Sequence, residues 1–188
     1  MFEMKLSHAI LITLFLFSVT LVAGWIGTTE NPEMGTSLME LFEKEVVGQL
    51  KDAGPSTMVV NLFINNLEAC ILLFLGGATF GLLTFFIMSL NGVVIGAIMQ
   101  IIHEDHSVAF IAAAILPHGI FEIPAFLIAG ALGIMVAHSL VAEWYDRADA
   151  AAEAHRCARI FGMYVLPLVA VAATVEAFIT PAIIRLVS

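Results

Sequence analysis

Between residues 58 and 103 the chain is almost continuously apolar, yet Asn65, Asn66, Glu68 and Asn91 sit within the run. Further apolar stretches carry Pro117-His118-Gly119 with Glu122, and Glu176. Stretches of this length suit helices that cross about 30 Å of hydrocarbon, where each segment must satisfy its own backbone hydrogen bonds. Polar and ionisable side chains are costly at that depth and face a bundle interior or a water-filled cavity. The chain is therefore constrained to an all-α, polytopic transmembrane helix bundle. Its buried polar groups are the candidates for its working part.

Composition points the same way. The sequence is 61% hydrophobic and 12% charged, outside the balance of a soluble globular domain. A net charge of −9 argues against nucleic acid and offers no polybasic handle for anionic lipid. Much of that charge falls between residues 30 and 52, so it describes one segment rather than the whole surface. Cys70 lies in an apolar run and Cys157 in a polar one, so no structural disulfide is expected. The length suits one integral membrane domain over residues 1–188.

Residues 8–27 read as a first spanning helix. Their apolar core is too long for a typical signal peptide, and Ala23-Gly24-Trp25 makes a poor cleavage site. Trp25 is expected at headgroup level. Residues 31–53 read as one amphipathic extramembrane helix, with Asn31 as cap, Pro32 at the first position and Leu38, Phe42, Val46 and Leu50 on one face. Its acidic polar face favours packing on protein over binding anionic lipid. Residues 58–102 are too long for one crossing at about 1.5 Å per residue and form a hairpin of 58–75 and 79–102, turned at Gly76-Gly77 and Gly81. The pairs Gly77/Gly81 and Gly92/Gly96 suit close helix packing.

His103-Glu104-Asp105-His106 reads as a solvated polar turn, because adjacent residues rarely converge on one metal ion. Residues 108–142 form a transmembrane helix that Pro117 and Pro124 are expected to break or make re-entrant. Residues 143–159 read as a polar, alanine-rich loop containing Arg147, Arg156 and Arg159, with Trp144 and Tyr145 at its membrane edge. Residues 160–184 form the last spanning helix, with Pro167, Glu176 and Pro181. About five crossings result, in a multi-pass protein of the cell membrane. A cytoplasmic N terminus places the arginine segment inside and the acidic helix outside.

The candidate site is an intramembrane cluster of Asn65, Asn66, Asn91, His118, Glu122 and Glu176. His118 and Glu122 share a helical face at i, i+4. Glu68 stands apart, as a carboxylate close enough to an interface to be solvated. Three functions compete for the cluster. It fixes helix packing in a scaffold or assembly subunit, or it carries a proton or cation in a transporter or channel-like subunit. In the third, His118, Glu122 and Glu176 ligate a metal in an intramembrane enzyme. No His-Glu-x-x-His pattern and no serine paired with a base are present, so no catalytic residue is assigned and no cofactor is expected. The expected partners are membrane lipid and a partner protein or second copy.

Several motifs carry a resemblance. They are Asn65-Asn66, the glycines Gly76-Gly77 to Gly81, Asn91-Gly92 with Gly96, Pro117-His118-Gly119-Ile120-Phe121-Glu122-Ile123-Pro124-Ala125 and Glu176-Ala177-Phe178-Ile179-Thr180-Pro181. In this order the chain resembles the stage II sporulation protein M family of integral membrane proteins. The resemblance implies a membrane component that holds soluble peptidoglycan-degrading enzymes in a complex driving engulfment. Relatives of this short form also occur in archaea and non-sporulating bacteria, so sporulation serves here as a family label. The chain carries no extramembrane stretch large enough to degrade a wall polymer itself.

Overall fold

The computed structural model describes residues 4–33, 35–37, 54–105 and 107–187. Its helices are α1 (Leu6–Glu30), α2 (Pro55–Leu75), α3 (Leu82–Asp105), α4 (Val108–Glu143), α5 (Ala150–Ile160), α6 (Leu166–Phe178) and α7 (Thr180–Val187). A 3-10 turn (Gly76–Thr79) follows α2, and a π-helical turn (Phe161–Val165) joins α5 to α6. No strand occurs among the described residues. Five stretches are long and apolar enough to cross a membrane: Leu6–Glu30, Ser56–Thr79, Leu82–Glu104, Ile115–Glu143 and Ala150–Phe178. The chain is a multi-pass membrane helix bundle.

Helix α4 is its axis. It packs against every other helix, and 56% of its apolar span is buried, against 11% for the span containing α2. Glycines set how closely the helices approach. A Cβ on Gly92 would strike Thr20 and the Phe17 carbonyl, and one on Gly96 would strike the Leu21 carbonyl and the Trp25 nitrogen. Gly24 meets the backbone of Val93 from the other side. The expected Gly92/Gly96 pair is thus the contact strip between α3 and α1, the most extensive helix pairing in the bundle.

The hairpin of α2 and α3 closes where the glycines place it. Gly81 has φ 82°, in the left-handed region that only glycine adopts freely. Thr79 ties the turn together, its Oγ1 donating to the Gly76 carbonyl (2.7 Å) and accepting from the Leu83 N–H (3.0 Å). The Thr84 hydroxyl donates to the Leu73 carbonyl at 2.8 Å, capturing one of the end carbonyls that α2 cannot bond internally. Gly133 of α4 presses on that same carbonyl, and Gly77 presses on the Gly133 carbonyl. On the opposite flank of α4, the Thr13 hydroxyl reaches the Leu127 carbonyl at 3.1 Å.

Three expectations need correction. Residues 108–143 form one continuous helix, neither broken nor re-entrant, with Pro117 and Pro124 inside it. Each proline deprives one carbonyl, that of Ala113 or Ile120, of its helical donor. Unwinding a turn in hydrocarbon would orphan several such groups, so continuing the helix costs less. The polar loop expected over 143–159 is in fact the short connection 144–149 followed by α5. Alanine-rich sequence favours that helix, the Asp149 carboxylate caps it by accepting from the Ala152 N–H (2.9 Å), and Arg156 pairs with Glu153. The turn expected at 103–106 is helical through Asp105; His103 there stacks on Trp25 at 5.4 Å.

The last span also begins and ends earlier than residues 160–184. It runs from Ala150 to Phe178, and Thr180–Val187 folds as a separate short helix against α4. The π-helical turn lies immediately before Pro167, whose ring would otherwise press on the Met163 carbonyl. The amphipathic helix expected over 31–53 lies largely outside the described residues; residues 32, 33 and 35–37 are helical. Cys70 and Cys157 are both free and buried.

The glycine strip generates a prediction. Gly96→Leu should force α3 from α1 and lower stability by roughly 1–3 kcal/mol, the usual cost of overpacking. Gly162→Ala, where an added methyl meets nothing within 4 Å, should change it little. Detergent-based unfolding of the two variants checks this contrast.

Candidate functional site

The polar cluster is assembled by α2, α3, α4 and α6. On α4, one turn separates His118 from Glu122, so both point to the same flank. From α6, Glu176 meets His118, with its Oε2 at 2.5 Å from the imidazole Nδ1. Both contacting atoms are buried, and among the described residues neither has a further hydrogen-bond partner. The side chains as wholes are partly open, 21% and 28% exposed. A contact this short needs one proton between the two atoms, since a bare nitrogen and a bare carboxylate oxygen would repel. The pair is either an imidazolium with a carboxylate or an imidazole with a carboxylic acid, and both forms hold one shared proton.

Glu122 continues the network towards α2. It lines one cavity together with the Asn66 side chain and lies close to His118 and Glu176. Asn65 Nδ2 reaches Asn66 Oδ1 at 3.4 Å, a long contact between neighbours. Asn91 turns back on its own helix and donates to the Ile87 carbonyl at 2.9 Å. Asn65, Asn66, Asn91 and Glu122 all line one cavity of about 70 Å³, closed on other sides by Phe17, Ile95 and Phe126. That volume accommodates a few water molecules, each of which needs two or more polar partners of the kind the wall supplies.

All six candidate residues therefore fall in one connected region, with a proton-sharing pair at one end and a small polar cavity at the other. Among the described residues, no three His, Cys, Asp or Glu side chains stand close enough to hold a metal ion. Glu122 is directed to Asn66 and the cavity, whereas Glu176 is taken up by His118.

Glu68 is the residue whose placement differs most from expectation. It is exposed and lies at the middle of the Ser56–Thr79 span, not near an interface. The span continues past Leu75 through the 3-10 turn to Thr79, which puts its midpoint between Leu67 and Glu68. Sequence reading also passed over the hydroxyls of Thr13 and Thr84, which bond across helices. Threonine inside an apolar span was the available signal.

A second polar cavity, of about 380 Å³, opens at the opposite end of α4 between His138, Ser139, Arg147, Asp149, Glu153 and Arg156. Most of its charged groups are already engaged. Arg156 pairs with Glu153, Asp149 caps α5, and Arg147 lies 5.9 Å from the Tyr145 ring.

Comparison with known proteins places this geometry in context. The family model for stage II sporulation protein M matches residues 13–181, a span containing the whole polar cluster. An uncharacterised protein of Methanocaldococcus jannaschii is 28% identical over 177 residues, covering 93% of this chain and 94% of that one. No solved structure matches the chain.

The shared-proton pair can be tested thermodynamically. His118→Ala and Glu176→Gln should each destabilise the protein by about 1–2 kcal/mol, the upper range for polar bonds between membrane helices. The double variant should cost less than their sum, as expected for side chains in direct contact. Unfolding in mixed micelles measures that coupling, and strict additivity would contradict the pairing.

Proposed function

We propose, from the premise that this chain belongs to the stage II sporulation protein M family, that it is a membrane scaffold or assembly subunit. In this reading the bundle is a fixed platform in the cell membrane, with its N terminus cytoplasmic. The acidic, amphipathic segment of residues 31–53 meets a protein partner on the other side. One observation carries the proposal: the two ionisable side chains His118 of α4 and Glu176 of α6 take each other up across helices beside a small cavity. Glu176 engages His118, while Glu122 and Asn66 line a cavity of only about 70 Å³. The continuous α4 supports the same reading, because substrate sites of many secondary transporters are built on discontinuous helices. No catalytic role is proposed for any residue.

Orientation draws support from charge. Lys5, Arg147, Arg156 and Arg159 fall at the end of the bundle holding the N terminus, four of the seven lysines and arginines in the sequence. Among the remaining described residues, Arg185 falls at the other. The excess is small but agrees in sign with a cytoplasmic N terminus.

A second reading, a proton- or cation-coupled transporter or channel-like subunit, is favoured by the shared proton of His118 and Glu176. Glu122 and the cavity asparagines lie beside it. The two readings separate cleanly. For the scaffold, deleting residues 32–51 should abolish a native membrane complex seen on blue native gels, while Glu122→Gln leaves it intact. For transport, proteoliposomes should show a pH-driven ion flux that Glu122→Gln reduces at least tenfold. A complex that survives the deletion, together with such a flux, would replace the first reading with the second.

A further inference from the structure

Helix α2 carries a carboxylate where a lone helix bundle should have none. Glu68 is exposed, twelve residues from one end of its span at Ser56 and eleven from the other at Thr79. At about 1.5 Å per residue, roughly 17 Å of helix separates it from either end, too far for a glutamate to reach water. Among the described residues it makes no hydrogen bond or ion pair. A carboxyl group facing lipid at this depth is expensive, and such groups are normally turned towards protein.

Its neighbours define what would cover it. Val60, Ile64, Ile71 and Leu75 are exposed on α2, by 53%, 55%, 38% and 56%. With Glu68 they form the series 60, 64, 68, 71, 75, whose steps of three and four residues trace one narrow seam along the helix. The span is also the least covered of the five, only 11% buried. Asn65 is exposed beside Glu68, and its amide has only the long 3.4 Å contact to Asn66.

We infer that α2 pairs inside the membrane with α2 of a second copy of this chain, around Glu68 and Asn65. Two copies inserted in the same sense are related by a two-fold axis along the membrane normal, so the paired helices run parallel. Such an interface must be self-complementary. The seam meets that condition because it holds a donor and an acceptor three residues apart, about 4.5 Å along the axis. The Asn65 amide of each copy donates to the Glu68 carboxyl of the other, and the aliphatic side chains pack above and below. A foreign helix bearing a lysine would match Glu68 but would leave the amide of Asn65 without its counterpart. The pairing also covers the outer edge of the polar cavity, whose wall runs from Glu122 to Asn66 and the exposed Asn65. The inference rests on the membrane fold alone and stands apart from the scaffold role.

Crosslinking through introduced cysteines in native membranes tests it. Ile64→Cys and Ile71→Cys should form disulfide-linked dimers under mild oxidation. Two controls should not: the parent chain, whose Cys70 and Cys157 are buried, and Phe85→Cys on an exposed face of α3. Asn65→Ala combined with Glu68→Leu should weaken dimerisation by ~10-fold in single-molecule photobleaching, in keeping with two or more lost interhelical bonds. Stripe cysteines that crosslink no better than Phe85→Cys would overturn the inference. So would adducts to a different protein in place of the dimer, or a dimer fraction unchanged in the double variant. Because Glu68 and Asn65 are both exposed, circular dichroism of the double variant should match that of the parent.

Discussion

Hydrocarbon offers a polar atom no water, so every such atom in a spanning helix must find its partner in protein. That constraint organises this bundle. It keeps α4 continuous through two prolines, because each proline orphans one carbonyl while an unwound turn would orphan several. It draws the Thr84 hydroxyl to the Leu73 carbonyl and the Thr13 hydroxyl to Leu127. It brings His118 and Glu176 together from helices far apart in the chain, around a proton they must share.

Close packing is the means by which these partners reach one another. A hydrogen bond between side chains of two helices needs the backbones to be near, and here glycine sets that distance. Gly92 and Gly96 let α3 lie along α1, and Gly77 and Gly133 let the hairpin turn settle on α4. The polar cavity beneath Phe17 and Phe126 is the space left where four helices meet and larger polar side chains replace glycine. Packing and polarity therefore divide the work by position. Glycines bring helices close at the α1–α3 contact and near the hairpin, and the core carboxylates, Glu122 of α4 and Glu176 of α6, sit where α4 meets α2 and α6.

Much of this was readable in advance, for identifiable reasons. Apolar length fixes a spanning helix at about 1.5 Å per residue, so the number of crossings follows from hydropathy. Gly76, Gly77 and Gly81 marked the hairpin because no other residue suits that turn so well. The six cluster residues stood out because polar groups are rare in such segments. Proline was misleading, since its intrinsic preference for breaking helices was outweighed by the cost of unwinding in lipid. The 150–160 segment was misleading too: its charges suggested a loop, but alanine content and the Asp149 cap made it helical.

The sequence by itself determined the class of molecule, its number of crossings, and which residues would be costly if left facing lipid. These are local properties, set by the transfer energy of each side chain and the length of each apolar run. Only the tertiary structure decided how those residues are partnered. His118 finds Glu176, Asn91 turns back on its own helix, and Glu68 faces outward at mid-span while Glu122 lines the inner cavity. Partnering depends on the rotation of each helix about its axis and on the distance between backbones. Those are fixed by packing between segments remote in sequence, which no local pattern records.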